Sequence, residues 1–210
     1  MTVAERLIVL QTEIRQCTRC RDAGFITEAR PLTEGTGPAP FLVIGQAPSR
    51  TDHETGTFYR GPAGRKFRAW LKEAGFTDEE FGTRLYLAAI TKCFPGRVTG
   101  SSKDRLPSRT ERNLCRPWLE QEIGLVNPEV VLLFGGLAIR TFLSSAPLEE
   151  LVGRTFERED RLLIPLPHSS GASTWLNSER NRALLTEAIE QIRAARTERS
   201  ADRAALSSAI

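Results

Sequence analysis

Four cysteines are the residues of this chain whose type and spacing most directly indicate chemistry. Cys17 and Cys20 form a C-x-x-C pair, Cys93 and Cys115 follow far downstream, and no other cysteine is present in the 210 residues. Thiolates are soft ligands that suit zinc or an iron–sulfur cluster. The count therefore predicts one four-thiolate metal site, which folding assembles from distant segments, although the spacing does not separate the two metals.

Three polar, glycine-containing loops hold the other candidate residues. They span residues 45–64, 91–105 and 165–177, and each follows a short apolar run that predicts a strand. Ligands of parallel α/β sheets bind beyond the carboxyl ends of the strands, so these loops are expected to meet at one site. The last loop contains His168 before Ser-Ser-Gly, whose small side chains let backbone N–H groups approach an anion closely. His53, the only other histidine, is interpreted as a packed or solvated side chain.

Three further features of these loops each allow a functional and a structural interpretation. Asp52 is a carboxylate that either orients a water molecule or is simply solvated. Phe58 and Tyr59 either anchor their loop to the core or offer a stacking surface, which is worth about 1–3 kcal/mol for a nucleobase. The basic run 97–105 is either a solvated loop or a path for a phosphate backbone.

The order of apolar and polar segments predicts one α/β domain. Helical patterns alternate with short apolar runs, which is typical of a parallel sheet covered on both faces. Strands are predicted at 41–44, 85–90, 130–134 and 162–164, and helices at 4–16, around 67–71, from 108, up to about 143 and from 178. Ser108 and Glu111 have the spacing of a capping box. Residues 1–195 are assigned to the domain and 196–210 to a polar helical extension or tail.

Composition limits the cellular setting and the partners. The net charge of +3 is compatible with binding to nucleic acid. No apolar run approaches the roughly 20 residues of a membrane span, and the N-terminal segment predicts an amphipathic helix rather than a signal peptide. We therefore expect a cytoplasmic monomer without membrane contact, in which a C-x-x-C pair is typical of metal binding rather than of a disulfide.

Taken together, these motifs resemble the uracil-DNA glycosylase superfamily, and most of all its iron–sulfur family 4. The family's first motif is opened by Gly-Gln-Ala-Pro at 45–48 and closed by residues 56–64, with the family's spacing. Its two downstream cysteine segments are matched by 91–95 and 115–121, and its H-P-S motif is matched by 168–170. The resemblance extends from about residue 10 to about residue 190.

The resemblance implies a fold, a cofactor and an activity. The fold is a three-layer α/β/α sandwich with a central four-stranded parallel sheet. The cofactor is a structural [4Fe-4S] cluster held by Cys17, Cys20, Cys93 and Cys115. The activity is excision of uracil, or of a related deaminated base, from DNA in base excision repair, after the nucleotide has been flipped out of the stack.

The resemblance also assigns roles to single residues. His168 donates a hydrogen bond to the charge that develops on uracil O2, and Asp52 is the candidate to orient water, with Gln46 as the third catalytic position. Tyr59 stands at the stacking position. The full set of base-binding positions is Ala47, Phe58, Tyr59 and Ala89, and the DNA-binding positions are Ser169, Ser170, Gly171, Ala172 and Ser173.

Departures from the family pattern leave other functions open. Gln46 stands where the family has an acid, Ala89 where it has the Asn that reads uracil, and Ser169 where it has the proline of H-P-S. Since a hydrogen-bonded reader contributes on the order of 1–3 kcal/mol per base, Ala89 predicts weaker discrimination. Two alternatives remain, namely a catalytically weak member that binds damaged DNA without excision and a zinc-stapled α/β protein with no DNA role.

Overall fold

A single five-stranded sheet forms the centre of the protein. The computed structural model describes residues 1–170 and 174–207, with side chains as far as residue 198. The strands in chain order are β1 (Phe41–Gly45), β2 (Leu85–Ala89), β3 (Val130–Phe134), β4 (Phe156–Arg158) and β5 (Arg161–Leu166). They lie side by side in the order β2-β1-β3-β5-β4. The four predicted strands, β1, β2, β3 and β5, run parallel.

The fifth strand is the one that the sequence did not predict. β4 pairs antiparallel with β5 at the edge of the sheet, so the predicted four-stranded sheet was one strand short. Glu159 and Asp160 join the two strands with φ angles of +49° and +60°, the left-handed values that a tight two-residue hairpin turn requires. With only three residues, β4 is too short to show an alternating pattern in the sequence.

The described part of the chain contains eight α-helices. They are α1 (Val3–Arg15), α2 (Arg19–Asp22), α3 (Arg50–Thr55), α4 (Pro62–Glu73), α5 (Arg109–Val126), α6 (Gly136–Phe142), α7 (Leu148–Leu151) and α8 (Glu179–Ser207). The capping box of Ser108 and Glu111 is confirmed at the start of α5. α3 corrects the prediction of a continuous loop, because Ser49 and Asp52 form another capping box, which begins a helix there. α8 continues across residue 196 without a break, and the division at 195 stays a prediction.

Helices cover both faces of the sheet. On one face, alternate strand residues such as Val43 and Leu132 pack against α4 and α8. On the other face, the intervening residues such as Leu42 and Leu133 pack against α1, α5 and α6. β1, β2 and β3 are fully buried as a result, which is why they appear in the sequence as continuous apolar runs. Among the described residues, no helix is both long and apolar enough to cross a membrane.

A buried polar network fixes α5 against the end of β2. Lys92 forms an ion pair with Glu122, and their side chains are only 2% and 0% exposed. The same ammonium donates to the carbonyl of Ala89 at 3.1 Å. The second carboxylate oxygen of Glu122 accepts from the hydroxyls of Tyr86 at 3.0 Å and Thr33 at 2.8 Å. Because every charge in this network has a partner, it can hold the chain rigidly just before Cys93.

Candidate active site and metal centre

A cavity of about 670 Å³ opens beyond the carboxyl ends of the parallel strands. Eight of the twelve residues predicted to act in catalysis, base binding or DNA binding line it: Gln46, Ala47, Asp52, Phe58, Tyr59, Ala89, His168 and Ser170. The loops that follow three strands therefore meet as predicted. Gly171, Ala172 and Ser173, the remaining positions of the predicted DNA-binding loop apart from Ser169, lie outside the described residues.

His168 lies in the cavity wall as a neutral hydrogen-bond donor. Its Nδ1 accepts a hydrogen bond from the backbone N–H of Ser170 at 3.1 Å. Because a backbone N–H can only donate, Nδ1 holds a lone pair, and the proton of the neutral ring is on Nε2. Burial lowers the pKa of His168 below the ordinary value of 6.5, which favours this neutral form at pH 7.

Phe134 is a site residue that sequence reasoning missed. Its ring stacks on the imidazole of His168, with centroids 5.2 Å apart and planes 18° apart, and it lines the same cavity. In the sequence it is only the last apolar residue of a predicted strand. The signal that marks it is its position directly before Gly135, where an added Cβ would lie 3.2 Å from His168 Cδ2. The Phe134 ring therefore fixes the plane of the histidine.

The segment that carries Phe58 and Tyr59 is braced by charged side chains. The N–H of Phe58 donates to Glu34 at 3.0 Å, and its carbonyl accepts from Arg68 at 3.3 Å. The N–H of Arg60 donates to Asp52 at 2.8 Å. These bonds hold Tyr59 at a φ of +60°, a strained value for a bulky residue. Such strain persists only because the surrounding contacts fix the loop.

Asp52 is a buried carboxylate with both oxygens engaged by the backbone. One oxygen accepts from the N–H of Ser49 at 3.0 Å and the other from the N–H of Arg60 at 2.8 Å. The residue is 5% exposed and lines the cavity. It therefore joins the start of α3 to the aromatic loop, while its role in orienting water stays a prediction.

The ring of Tyr59 packs into an aromatic group beneath the cavity. Its centroid lies 4.7 Å from that of Phe67 and 5.7 Å from that of Phe134. Among the described residues, its buried hydroxyl has no hydrogen-bond partner. That hydroxyl lies against Gly45, where an added Cβ would come within 2.8 Å of it, and Gly64 packs on the Tyr59 backbone at 2.3 Å by the same measure. A side chain at Gly45 or Gly64 would clash with Tyr59, so both positions require glycine.

Two other candidates lie beside the cavity rather than in its lining. The hydroxyl of Ser169 is buried and donates to the carbonyl of Ala63 at 2.5 Å, which joins the His168 loop to α4. His53 packs against Phe94 with ring centroids 5.8 Å apart, and its Nε2 lies 3.2 Å from a carboxylate oxygen of Glu28. Both side chains have structural contacts.

The four cysteines line one small cavity where α1, α2, α5 and the loop after β2 meet. The indole N–H of Trp118 donates to the sulfur of Cys17 at 3.2 Å, and the backbone N–H of Lys92 donates to that of Cys115 at the same distance. The Arg19 guanidinium lies 4.7 Å from the centre of the Trp118 ring. Donors directed at sulfur stabilise thiolates, as the surroundings of metal-bound cysteines do.

The protonation of these thiols indicates which ligand the site suits. Burial, with a smaller contribution from mutual repulsion, raises the pKa of Cys20 to about 11 and that of Cys93 to about 12. Burial also raises the pKa of Cys115. Crowded thiolates therefore need a positive centre among them, and sulfur donors fit a soft metal. Within the described ranges, no three Cys, His, Asp or Glu side chains are arranged to hold a single metal ion.

Comparison with known proteins assigns the chain to a family. A profile described as "Uracil DNA glycosylase superfamily" matches residues 33–193, which is most of the chain. The chain belongs to this superfamily. The resemblance found in the motifs is thereby confirmed.

Curated members of the superfamily are similar to the chain over most of its length. The type-4 uracil-DNA glycosylase of Sulfurisphaera tokodaii is 22% identical over 88% of this chain and 82% of its own. Its counterpart in Pyrobaculum aerophilum is 27% identical over 69% of this chain and 65% of its own. The one in Thermotoga maritima is 25% identical over 68% of each chain.

The position that the family resemblance assigns to a base-reading Asn is apolar in this cavity. Ala89 is 1% exposed, pairs in register with Gly45, and presents a methyl group where the family resemblance implies an Asn. Its carbonyl is already bonded by Lys92. This part of the cavity therefore offers shape and apolar contact to a base rather than a paired donor and acceptor.

Proposed function

We propose that this protein is a monofunctional DNA glycosylase that flips uracil, or a related deaminated base, out of DNA and hydrolyses its N-glycosidic bond. The observation that carries the proposal is His168, a neutral imidazole with its proton on Nε2, in the wall of a cavity at the carboxyl ends of the strands. Superfamily membership and the similarity to type-4 uracil-DNA glycosylases support it.

For uracil, the proposed chemistry is heterolysis of the bond between C1′ of the sugar and N1 of the base. The electron pair leaves with the base, and negative charge develops on its O2. Nε2–H of His168 donates to that oxygen, as an oxyanion donor does. Water then adds to C1′ and its proton passes, directly or through solvent, to the departing uracil anion. We assign Asp52 to orient this water and Gln46 to border the leaving base.

The base itself is held by stacking and shape in this proposal. Tyr59 and Phe58 supply aromatic surface, and Ala47 and Ala89 supply apolar contact. Without a side chain that makes two hydrogen bonds to the base, the site loses discrimination between bases on the order of 1–3 kcal/mol. We therefore propose that hypoxanthine and xanthine compete with uracil more effectively than they do in enzymes with a reading Asn.

Flanking DNA phosphates are assigned to the loop after β5. The backbone of Ser169 and the hydroxyl of Ser170 are the described groups available there, because the N–H of Ser170 already bonds His168. Gly171, Ala172 and Ser173 complete the proposed contact. Small residues in such a loop let a phosphate approach the backbone closely.

We assign a [4Fe-4S] cluster to Cys17, Cys20, Cys93 and Cys115. When bound, this group supplies a cross-link between the N-terminal turn, the loop after β2 and α5 rather than a step of the reaction. A single zinc ion at about 2.3 Å from four thiolates would bring the sulfurs within about 3.8 Å of one another. All four thiols line one cavity, so one shared group can bind them, and the resemblance to the iron–sulfur family 4 favours the cluster over zinc.

Substitution of one cysteine tests the cofactor assignment. Cys93→Ser is expected to remove the visible absorption and most of the iron, and to lower the free energy of unfolding, because a structural metal site contributes directly to folding. Iron and zinc per chain and denaturant midpoints are the measurements. Ser108→Ala serves as a control that weakens a nearby helix cap without touching a sulfur. A colourless wild-type protein with stoichiometric zinc would contradict the assignment.

A panel of modified oligonucleotides tests the function and the stacking surface together. The wild type is expected to release uracil, hypoxanthine or xanthine. Tyr59→Ala is expected to reduce excision about 5- to 150-fold because the loss of stacking costs about 1–3 kcal/mol. Tyr59→Phe, the matched control, is expected to retain both activity and stability, since the deleted hydroxyl is buried and unpartnered among the described residues. Tight binding of uracil-bearing DNA without any abasic product would instead select the non-excising alternative.

A further inference from the structure

The basic loop after Cys93 is an ordered hairpin. The N–H of Arg105 bonds the carbonyl of Gly96 at 3.0 Å, and the N–H of Val98 bonds that of Lys103 at 2.9 Å. Arg97 and Asp104 form an antiparallel bridge between these pairs. Residues 96–105 therefore make a short two-stranded finger, which we call the rim hairpin.

The base of the rim hairpin is firmly anchored. Arg105 makes two hydrogen bonds to the carboxylate of Glu111, at 2.7 Å and 2.8 Å, and a third to the carbonyl of Phe25 at 3.0 Å. Glu111 is only 2% exposed. A bidentate pair of this kind fixes geometry as well as charge. The charge of Arg105 is therefore neutralised by Glu111, and this ion pair holds the hairpin in place.

The two remaining basic residues of the hairpin face solvent on the rim of the proposed active site. Arg97 and Lys103 are exposed and line the cavity that contains His168. Within the described part of the chain, neither side chain forms an ion pair within 4.0 Å. Asp104 is the one acid of the hairpin. Its carboxylate is bonded by the backbone N–H of Arg50 and interacts electrostatically with Arg97, its cross-strand neighbour, at more than ion-pair distance.

The size of the cavity indicates which part of a bound nucleotide would lie beside Arg97 and Lys103. At about 670 Å³ it is far larger than one pyrimidine ring, and it extends from His168 to the hairpin. A nucleotide with its base beside His168 leaves its sugar and flanking phosphates in the outer part of this space. Exposed cations on a rigid support, without an ion pair within 4.0 Å among the described residues, suit phosphate oxygens there, because Arg and Lys are common partners of DNA phosphates.

We propose that the rim hairpin grips the phosphate backbone of the DNA strand that carries the flipped nucleotide, through Arg97 and Lys103. This inference rests on the proposed function for its choice of partner. It adds a second DNA-contacting element, which is distant in the sequence from the loop after β5. Such contacts set register and affinity and are insensitive to base sequence.

The salt dependence of binding tests this proposal. The probe is a duplex containing an uncleavable 2′-fluoro analogue of deoxyuridine, titrated with metal-loaded protein at several salt concentrations. The double variant Arg97→Ala/Lys103→Ala is expected to reduce the slope of log K against log salt by about 1.8, or about 0.9 for each lost phosphate contact. Arg97→Lys/Lys103→Arg is expected to restore the slope because it keeps both charges.

A matched control removes the same charge elsewhere. Arg154→Ala/Arg158→Ala lies near β4, at the opposite edge of the sheet from the strand that leads into the hairpin, and is expected to keep the wild-type slope. Equal slopes for the hairpin variant and the wild type would overturn the proposal, as would equal losses in both double variants. Uracil excision is scored separately. Excision with an unchanged slope rejects the hairpin grip alone, whereas a hairpin-dependent slope without excision rejects only the proposed function.

Discussion

Replacing His168 with alanine is expected to slow base excision by roughly 100- to 1000-fold, the loss typical of one oxyanion donor. The ring is positioned by two contacts that leave Nε2–H for the substrate: the stack on Phe134 and the hydrogen bond from Ser170. Neither contact involves DNA, so binding of the uncleavable analogue is expected to change little. Single-turnover rates at saturating enzyme, together with the Kd for the analogue, separate the two effects.

The pH dependence of the wild type provides an independent test of this role. A second proton would have to enter at Nδ1, where it would oppose the N–H of Ser170 in a partly buried site. Burial therefore places the folded-state pKa of His168 below 6.5, and the neutral donor predominates at pH 7. Activity is expected to be flat through neutrality and to fall only as the pH drops below 6.5. A His168→Ala variant with the wild-type rate, or with the same acid limb, would contradict the assignment.

Replacing Lys92 with methionine is expected to lower the free energy of unfolding by about 3–5 kcal/mol, because it leaves the carboxylate of Glu122 buried without a cation. Glu122 is 0% exposed on its side chain and has no route to solvent. The lost bond to the carbonyl of Ala89 adds to the effect at the edge of the cavity. Denaturant unfolding of the metal-loaded protein measures the change, with iron content recorded for each variant.

Two further variants show whether the loss of stability comes from breaking the buried ion pair or merely from removing a lysine charge. Lys72→Met breaks an exposed pair with Asp78, whose side chain is 63% exposed, and is expected to cost at most about 1 kcal/mol. Lys92→Met/Glu122→Met removes both charges and is expected to be more stable than Lys92→Met alone, since no uncompensated carboxylate remains. Equal losses for Lys92→Met and Lys72→Met would rule out the structural role given to the network.

The sequence predicted the parts of the fold that carry a strong hydrophobic pattern. β1, β2 and β3 begin at the predicted residues because strands buried on both faces are continuous apolar runs bounded by turns. α3 and β4 carry no such pattern. α3 has six residues and β4 has three, and each is held by a cap or a hairpin turn rather than by an apolar stripe.

The sequence predicted which residues would share the cavity but not the contacts that support them. The carboxyl-end rule brought His168 and Ala89 into one cavity, as expected. The partners that give these residues their properties come from distant segments, as Phe134 does for His168. Asp52 shows the same limit, because its bond to Arg60 depends on the left-handed backbone of Tyr59, which local sequence does not signal.

Release of free base is the measurement that tests the central claim most directly. Metal-loaded protein in excess is incubated with an oligonucleotide containing one deoxyuridine, and an identical strand with thymine gives the background. The expected products are free uracil and an abasic strand that breaks only on later alkali treatment, since water rather than a protein amine attacks C1′. A strand that keeps its uracil while the protein is bound to it would contradict the glycosylase function.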